Sequence, residues 1–300
     1  MGSQSFDSSM RSKLYHFTTQ ISLCSTGNFI YNTQMPIIIA YTISIVFFFF
    51  IILWVTAFYL SNEFKVPTLT KFEFKKVLVV FPHPDDEVLT VGGFTQKLAS
   101  QNIDTTLRVL SRGEKGTPDA TLNTKLGEIR AKEMINVAEL LDIQEVLIDT
   151  YPDGELRQHS PSVRDRIKEI MDSVQPDLVI TYDTSGMYGH DDHIAVSEII
   201  TDLLEKNDKD TTLWYASLPS KVYSRLGLPT YMAKDSSFAS RRMVPTHKVW
   251  VGLNIINKVN AVYAHKSQYL SFRNSIPIKW IPIWFFLSTG LYEYFHEVEN

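Results

Sequence analysis

The stretch that decides the fold is residues 77–87, which read Val77-Leu78-Val79-Val80-Phe81 and then Pro82-His83-Pro84-Asp85-Asp86-Glu87. Its first half is a continuous apolar run between lysines and prolines, which is typical of a central strand in a parallel sheet. In open α/β sheets, ligands bind just beyond the carboxyl ends of the strands, where His83, Asp85 and Asp86 fall. The stretch therefore predicts half of a metal site.

A second stretch, residues 178–193, repeats this arrangement. The apolar run Leu178-Val179-Ile180-Thr181-Tyr182 is followed by a glycine-containing loop and then by His190-Asp191-Asp192-His193, which opens an apolar-periodic helix. Taken alone, two histidines three residues apart occur on many solvated helix starts, and an Asp-Asp pair after a strand is often a helix N-cap. Because two parallel strands would deliver both clusters to one sheet edge, a metal site is favoured.

Strands and helices alternate from about residue 72 onward. Strands are predicted at 76–81, 105–110, 145–149 and 177–182, and helices at 91–101, 124–141 and 162–174. This alternation predicts an α/β fold, a Rossmann-like, mostly parallel sheet with helices on both faces. No dinucleotide glycine fingerprint follows the first strand, which argues against the nucleotide-binding version of this fold.

Composition limits the classes of function and of metal site. The chain has 300 residues, a net charge of −4 and 44% hydrophobic content, which suits one globular domain plus an appendage and gives no case for a nucleic-acid partner. Its single cysteine, Cys24, excludes an intramolecular disulfide and every cysteine-based zinc site. Metal ligands must therefore come from histidines and carboxylates.

The amino-terminal part of the chain differs from the rest. Residues 1–35 are rich in Ser, Thr, Asn and Gln and predict a flexible region, whereas residues 37–60 contain no charge. As a helix, these uncharged residues would extend roughly 36 Å, enough to span a bilayer. We predict a transmembrane helix at 36–60, a linker at 61–74 and a catalytic domain at 75–300. A cleaved signal peptide is the alternative, but the run is too extended and lacks a small-x-small cleavage pattern.

Two further features concern the membrane. Four lysines between residues 65 and 76 follow the apolar span, whereas Arg11 and Lys13 lie far before it. Counting positive charges predicts a single-pass protein with its catalytic domain on the cytoplasmic side. Residues 276–291 form another apolar segment, with Trp280 and Trp284 but also Lys279. This segment is either a terminal element of the domain or a contact with the membrane interface.

The residue types of the two clusters indicate hydrolytic chemistry. Catalytic zinc usually takes three His or carboxylate ligands and keeps a position open for water, and His83, Asp86 and His193 supply such a set. The metal would lower the pKa of that water toward ~7, and Asp85 is the candidate general base. His190 is placed to donate a hydrogen bond to the developing oxyanion, although an N-capping or solvated loop histidine is the alternative.

The motif Pro-His-Pro-Asp-Asp-Glu at 82–87, followed by Gly92-Gly93 and later by Gly189-His190-Asp191-Asp192-His193, resembles the PIG-L/LmbE de-N-acetylases. The resemblance extends over most of residues 75–270 and includes Gly113-Glu114, Arg130, Asp153-Gly154 and His265-Lys266-Ser267-Gln268. It implies a Zn²⁺ enzyme that removes acetyl from N-acetylglucosamine conjugates, with Asp85 as base. The Gly-Gly pair resembles the prokaryotic branch of the family.

Three further residues are candidates for binding the substrate. Arg112 follows a predicted strand and presents a fork of donors suited to a phosphate or hydroxyl, although a surface arginine is an equal alternative. Asp153 is placed to accept hydrogen bonds from sugar hydroxyls, but an Asp-Gly pair is also an ordinary turn signal. The resemblance implies that His265 enters the pocket, whereas a lone helical histidine is more often packed.

The sequence therefore predicts a membrane-anchored, zinc-dependent N-deacetylase that acts on an N-acetylated sugar conjugate, including a lipid-linked one. Fe²⁺ is an alternative metal, because two histidines and one carboxylate also form the facial triad of nonheme iron enzymes. A catalytically silent, membrane-tethered glycan-binding module is the third alternative. The presence of Asp85 together with all three predicted ligands argues against it.

Overall fold

The computed structural model describes residues 8–116, 125–207, 210–225, 233, 236–276 and 278–299, with side chains from residue 35 onward. The chain divides into two compact units, Met1–Val55 and Thr56–Asn300. Helix α1 covers Ser8–Ser61, and its stretch Met35–Ser61 has a mean hydropathy of 2.7. By length and composition this stretch is able to cross a membrane, although a signal sequence passes the same test.

The backbone of α1 is helical well before the predicted span. The composition of residues 1–35 predicts a flexible region, whereas the helix begins at Ser8. The predicted boundary at residue 36 coincides with Pro36, which lies inside the helix.

Within the described residues, eight strands form one sheet. They are β1 (Thr68–Leu69), β2 (Lys76–Phe81), β3 (Asp104–Ser111), β4 (Glu145–Tyr151), β5 (Leu178–Tyr182), β6 (Thr212–Ser217), β7 (His247–Trp250) and β8 (Tyr292–Glu297). Their order across the sheet is β1-β7-β8-β6-β5-β2-β3-β4. Neighbouring strands are parallel except where β8 pairs with β6 and β7. The predicted, mostly parallel sheet is confirmed.

The sheet order creates a crevice between β2 and β5. From β4 to β6 the order across the sheet is β4-β3-β2-β5-β6, which is the order of a Rossmann fold. The chain runs outward from β2 through β3 to β4. It then returns to β5, beside β2, and continues outward to β6 on the other side. Strands β2 and β5 are direct neighbours, with Val77 opposite Leu178 and Val79 opposite Ile180. Their carboxyl ends therefore meet at the topological switch point, where such sheets bind their ligands.

Alternate residues of β2 face two separate hydrophobic cores. Val77 and Val79 belong to a core shared with helices that follow β2 and β3, whereas Leu78 and Val80 belong to a core on the other face. Burial on both faces explains why β2 is apolar without alternation.

The helices that follow α1 are α2 (Asp86–Thr90), α3 (Gly92–Ala99), α4 (Leu126–Leu140), α5 (Ser160–Val174), α6 (Gly186–Gly189), α7 (Asp191–Asn207), α8 (Ser220–Tyr223), α9 (Ile255–Ala264), α10 (Tyr269–Ser275) and α11 (Ile283–Ser288).

The two helical layers confirm the predicted arrangement of helices on both faces. Helices α3, α4 and α9 contribute to the core of Val77, and α5 and α7 to the core of Leu78. The four predicted strands and the three predicted helices agree with the observed elements to within two residues at each end.

The predicted linker at 61–74 is built into the fold. Strand β1 lies within it and pairs with β7. Asn62 is fully buried, and its side-chain amide donates a hydrogen bond to the Thr289 carbonyl at 2.8 Å. The Glu63 N–H donates to the Tyr294 hydroxyl at 2.8 Å, and Lys248 Nζ donates to the Glu63 carbonyl at 2.7 Å. The residues from Asn62 onward therefore belong to the folded domain.

Candidate active site

The loop after β2 brings His83 and Asp86 close together. The two prolines on either side of His83 fix φ and limit the conformations of the loop. Asp86 opens helix α2, and its Oδ2 accepts a hydrogen bond from the His83 N–H at 3.0 Å. Both side chains are buried, with 6% of each residue exposed. The loop therefore holds a ring nitrogen and a carboxylate at the carboxyl end of β2.

The first turn of α7 brings His193 to the same crevice. His193 is fully buried, and its ring stacks on that of Tyr182, the last residue of β5, with centroids 4.3 Å apart and planes at 4°. Its Nδ1 has no hydrogen-bond partner within the described part of the chain. The stacking on Tyr182 fixes the plane of the imidazole beside the β2 loop.

The three predicted ligands lie at spacings that suit one tetrahedral metal ion. His83 Nδ1 is 3.3 Å from His193 Nε2 and 3.5 Å from Asp86 Oδ2, and His193 Nε2 is 3.5 Å from Asp86 Oδ1. Ligand atoms held tetrahedrally at the usual zinc distances of about 2.0–2.2 Å are about 3.4 Å apart. The two Asp86 distances use different carboxylate oxygens, either of which completes the set. The residues present therefore fit a divalent metal.

Two carboxylates bind the opposite edge of the His83 ring. His83 Nε2 lies 3.0 Å from Asp153 Oδ1 and 3.2 Å from Asp192 Oδ2. Asp192 is itself fixed, because its two oxygens accept the N–H groups of Gly154 at 2.7 Å and Leu156 at 3.0 Å. A metal-bound histidine commonly donates its other N–H to a carboxylate, which orients the ring. This arrangement leaves Nδ1 of His83 for the metal.

The charges of the cluster also favour a bound cation. Burial lowers the pKa of His83, but its hydrogen bonds to Asp153, Asp192 and Asp86 outweigh burial and raise that pKa well above its usual value. Burial lowers the pKa of His193 to about 3, so this ring is neutral, as metal binding requires. Three buried carboxylates surrounding two imidazoles leave an excess of negative charge that a divalent ion would balance.

Asp85 adopts a backbone conformation that separates it from Asp86. Its φ is 107°, in the left-handed region that non-glycine residues rarely adopt. Its carboxylate forms an ion pair with Arg130 at 3.1 Å, and its N–H donates to Glu87 Oε2 at 3.0 Å. Burial raises the pKa of Asp85 to about 6, although the Arg130 charge opposes this shift. Its side chain is 21% exposed, so it faces the open side of the site.

Arg130 joins the loop after β2 to the loop after β3 beside Asp85. Its guanidinium is buried and donates to the Gly113 carbonyl at 2.8 Å and to the Pro84 carbonyl. Gly113 has a φ of +63°, and a Cβ at this position would lie 2.5 Å from the guanidinium. Glycine is therefore required here both by the backbone conformation and by the approach of Arg130.

His190 lies beside both histidines that are predicted to bind the metal. Its ring centroid is 4.8 Å from those of His83 and His193. The Asp192 N–H donates to His190 Nδ1 at 3.2 Å, so the neutral ring carries its proton on Nε2. Burial and the neighbouring His83 lower the pKa of His190, which favours this neutral form. Nitrogen atoms of all three histidines lie within 4.8 Å of one another, so His190 is also a candidate ligand.

The three predicted substrate-binding residues have different environments. Asp153 lies against His83, as described above, and Arg112 is exposed at the end of β3. His265 is fully buried, and its Nε2 faces Glu87 Oε1 at 2.8 Å. Through Glu87, which accepts the Asp85 N–H, His265 supports the loop behind the site. Contact of these residues with a substrate stays a prediction.

Sequence reasoning assigned no role to three residues that the structure places at the centre of the site. Tyr182 donates its hydroxyl to Asp86 Oδ1 at 2.9 Å, and Asp192 and Arg130 make the contacts described above. Asp192 lies inside the motif His190-Asp191-Asp192-His193, and this position could have indicated that it supports a predicted ligand. No sequence spacing signals Tyr182, because its partner Asp86 lies on another strand end.

Part of the chain matches a known protein family. Residues 78–204 match the model of the family described as PIG-L: GlcNAc-PI de-N-acetylase. A 1D-myo-inositol 2-acetamido-2-deoxy-alpha-D-glucopyranoside deacetylase of Corynebacterium diphtheriae is 30% identical over 163 residues, which cover 46% of this chain and 55% of that protein. The chain thus spans about half the length of this relative.

Two further matches extend over more of the chain. A probable N-acetyl-alpha-D-glucosaminyl L-malate deacetylase of Bacillus anthracis is 26% identical over 202 residues, or 65% of this chain and 82% of that protein. The solved structure of N,N'-diacetylchitobiose deacetylase from Pyrococcus horikoshii has a TM-score of 0.52 at 21% identity and covers 75% of this chain and 84% of its own. At this identity the structural likeness concerns the fold alone.

Proposed function

The chain carries a PIG-L family domain over residues 78–204, and from this premise we propose that the protein is a zinc-dependent N-deacetylase that releases acetate from an N-acetylglucosamine-type conjugate. The resemblance predicted from the sequence motifs is confirmed by the family match. The observation that carries the proposal is the ligand spacing of His83, Asp86 and His193, with the carboxylate of Asp85 beside them on the open side.

His83, Asp86 and His193 would hold a divalent ion, which would act as a Lewis acid toward the acyl carbonyl and would lower the pKa of water. Asp85 takes the proton from the attacking water and returns it to the departing amine. Its left-handed backbone turns its carboxylate away from Asp86, and Arg130 holds it in place. The two neighbouring carboxylates are thus divided between proton transfer and metal binding.

His190 is the proposed donor to the oxyanion. Its Nδ1 accepts the Asp192 N–H, so Nε2 carries a proton that it can donate to the negative oxygen of the tetrahedral intermediate. Burial keeps this ring neutral, and it therefore donates a hydrogen bond rather than a positive charge. Asp153 and Asp192 act through His83 by fixing its ring.

The substrate class rests on what the relatives have in common. By their names, the two bacterial relatives act on N-acetylglucosamine joined to inositol in one case and to malate in the other. The acetylated sugar is common to both, and the attached group differs. We therefore propose an N-acetylated glucosamine conjugate as substrate, including one joined to a lipid.

We also propose that α1 anchors the enzyme in a membrane as a single span, with the catalytic domain on the cytoplasmic side. The stretch Met35–Ser61 is 27 residues long, and its mean hydropathy of 2.7 supports insertion. The lysines that follow it support the orientation, because positive residues are enriched on the cytoplasmic side. An anchor would confine the enzyme to the surface that carries a lipid-linked substrate.

The test is acetate release by the full chain, loaded with Zn²⁺ and supplied with a panel of N-acetylglucosamine conjugates. Each reaction is run with and without oxygen, because an iron oxygenase on the same two-histidine, one-carboxylate set would need oxygen. We expect one acetate and one free amine per turnover under both conditions. Failure to release acetate from any conjugate, with zinc bound, would remove the deacetylase assignment.

A further inference from the structure

We propose that residues 250–288, here called the aromatic-basic face, dock onto the surface of an anionic lipid bilayer. This proposal concerns the folded unit Thr56–Asn300 and goes beyond both the deacetylase activity and the anchoring helix. It rests on the composition of this stretch, on the exposure of its apolar residues and on its connection to the end of α1.

The composition of the face is unlike that of the rest of the chain. Residues 250–291 contain no Asp or Glu, although the chain has 33 of them. The same stretch carries Lys258, Lys266, Arg273 and Lys279. Lys258 is buried in an ion pair with Glu293, whereas Lys266 and Lys279 are exposed. The face therefore presents exposed lysines, and no acidic residue within the same stretch of sequence neutralises them. Polybasic segments that bind anionic membranes have the same composition.

Large apolar side chains are exposed on every element of the face. The most exposed of them are Leu253 at 84%, Trp280 at 73%, Ile256 at 58% and Trp284 at 53%. Single exposed apolar residues are ordinary, but a repeated set that spans three helices and their connections marks an interaction surface. Tryptophans flanked by lysines are typical of the membrane–water interface.

The elements of this face form one packed layer. Helix α9 contacts both α10 and α11, and the buried residues Val262, Phe272 and Ile283 belong to the same core. The Arg273 guanidinium donates to the Ile281 carbonyl at 3.1 Å, which ties α10 to the segment before α11. The exposed apolar residues are therefore carried by a fixed layer of the domain.

The face is continuous with the last turn of α1. Thr289 directly follows α11, and its carbonyl accepts the Asn62 amide at 2.8 Å. Near this junction in the sequence, Tyr59 is 66% exposed and Phe64 is 47% exposed. Trp284 lies on α11, five residues before Thr289. Residues at the start of the folded unit, directly after a helix that is able to cross a membrane, therefore hydrogen-bond with the residue that follows α11.

A bilayer fits this face better than a second copy of the chain. In a symmetric dimer the same patch would contact itself and bring Lys266 and Lys279 toward their own counterparts without acids to compensate. An anionic bilayer offers both the apolar boundary for tryptophan and the negative charge for lysine.

Docking would bring the side of the domain that supports the loop behind Asp85 to the lipid surface, and its relevance to catalysis rests on the proposed function. Tyr263 and Tyr269, at 37% and 40% exposure, lie on either side of His265. His265 contacts Glu87, which accepts the Asp85 N–H. His265, which belongs to this stretch of the chain, is therefore linked through Glu87 to the proposed general base.

The experiment places an environment-sensitive fluorophore on the face of the full chain in detergent-free vesicles. A Cys24→Ser background carries Trp280→Cys, labelled with nitrobenzoxadiazole, and the matched control carries Lys168→Cys at an exposed position of α5 on the other side of the sheet. We expect blue-shifted, brighter emission from the label at position 280 and water-like emission from position 168. The shift should be larger on phosphatidylglycerol vesicles than on phosphatidylcholine vesicles, and Lys266→Glu with Lys279→Glu should reduce it.

Several outcomes would overturn the proposal, and each is distinct from failure of the deacetylase assignment, which acetate release measures separately. Water-like emission at position 280 while the protein floats with the vesicles would reject docking and leave the anchor intact. Failure to float would reject the anchor and the docked face together. A blue shift of the labelled protein that grows with the protein-to-lipid ratio, together with disulfide formation between unlabelled Trp280→Cys chains when a mild oxidant is added, would identify a second copy as the partner.

Discussion

Asp85 and Asp86 are adjacent in the chain, yet their carboxylates bind different groups. Asp86 faces His83, His193 and the Tyr182 hydroxyl, whereas Asp85 faces Arg130. The left-handed backbone at Asp85 causes this separation, because it turns the Asp85 side chain away from that of Asp86. This backbone state is tolerated because the Glu87 carboxylate and the Arg130 guanidinium hold the residue from two sides.

The first prediction separates the roles of these two carboxylates. Asp85→Asn should leave zinc bound and lower kcat by about 10²- to 10⁴-fold, because an acid/base group is removed while the ligands remain. Asp86→Asn is the matched control and should lower the metal content as well. Metal content is measured by mass spectrometry alongside acetate release. Near-normal turnover of Asp85→Asn with zinc bound would exclude Asp85 as the base.

Tyr182 is predicted to position the metal site. Its hydroxyl donates to Asp86 Oδ1 at 2.9 Å, and its ring stacks on His193. Tyr182→Phe keeps the ring and removes the hydrogen bond, so zinc affinity should fall by about 10- to 100-fold, as expected when the partner of a ligand is lost. The measurement is competition with a chromogenic chelator.

Tyr215→Phe is the matched control for this variant. The Tyr215 hydroxyl contacts Thr201 at 2.6 Å, eight residues after His193 on α7, and Tyr215 is not one of the residues paired with a predicted ligand. Its removal should leave zinc affinity unchanged. Equal affinities of wild type and Tyr182→Phe would show that Asp86 needs no support from this hydroxyl.

At the scale of single residues, the sequence predicted those site residues that are neighbours in one motif. His83, Asp85 and Asp86 form one motif, and the strand-to-helix pattern placed His190 and His193 opposite them. Partners such as Arg130 were not assigned a role, because the approach of its guanidinium to Asp85 depends on the path of the Gly113 loop.

At the scale of secondary-structure elements, helix α3 depends on a residue from the far end of the chain. Val91, at its N-cap, makes no side-chain capping bond. Instead, Glu293 on β8 accepts the N–H groups of Gly93 at 2.8 Å and Phe94 at 2.7 Å. Lys258 on α9 pairs with the same carboxylate at 2.6 Å. One buried glutamate thus joins α3, α9 and β8.

Removal of this carboxylate should destabilise the fold strongly. Glu293→Ala leaves Lys258 buried without its partner, and breaking a buried ion pair in this way costs about 3–5 kcal/mol of unfolding free energy. Glu293→Gln should cost less, because it keeps one acceptor for the helix. Glu169→Ala removes an exposed ion pair with Arg166 and is the control, with a change too small to resolve. Urea unfolding measures all three, and equal stabilities would refute the bridging role of Glu293.

The elements that the sequence predicted are those whose apolar residues recur at a regular spacing or form a continuous run. Strands β2 and β5 are buried on both faces and read as apolar runs, and α5 buries Val163, Ile167 and Ile170 at helical spacing. Strand β8 was not predicted, because its sequence Tyr-Glu-Tyr-Phe-His-Glu places the charged Glu293 on the buried side as a partner for α3. Strand β1 has two residues, too few for any pattern.

At the scale of the whole molecule, the structure shows where the amino-terminal helix can be removed. The folded unit begins at Thr56, and Asn62 and Glu63 hydrogen-bond with Thr289 and Tyr294. Deleting residues 1–55 should therefore leave a folded domain that deacetylates a small soluble substrate. Deleting residues 1–65 should lower its melting temperature, by about 2–4 °C for each kcal/mol lost, because Asn62 and the Glu63 partner of Lys248 are removed.

Thermal unfolding and acetate release from a soluble substrate compare the two truncations directly. Equal melting temperatures would mean that residues 56–65 are dispensable for the fold. Loss of activity in the shorter deletion, with its fold retained, would mean that the first unit contributes to catalysis.

The central claim is that one metal ion, held by His83, Asp86 and His193, makes this domain an N-deacetylase. The most direct measurement titrates chelator-treated protein with Zn²⁺ and follows acetate release from an N-acetylglucosamine conjugate. The account predicts no release without metal and a rate that rises until one equivalent is bound. His193→Ala should then require far more zinc for the same rate, because one ligand is missing. A rate that is unchanged by metal removal, or that is equal in His193→Ala, would contradict the account.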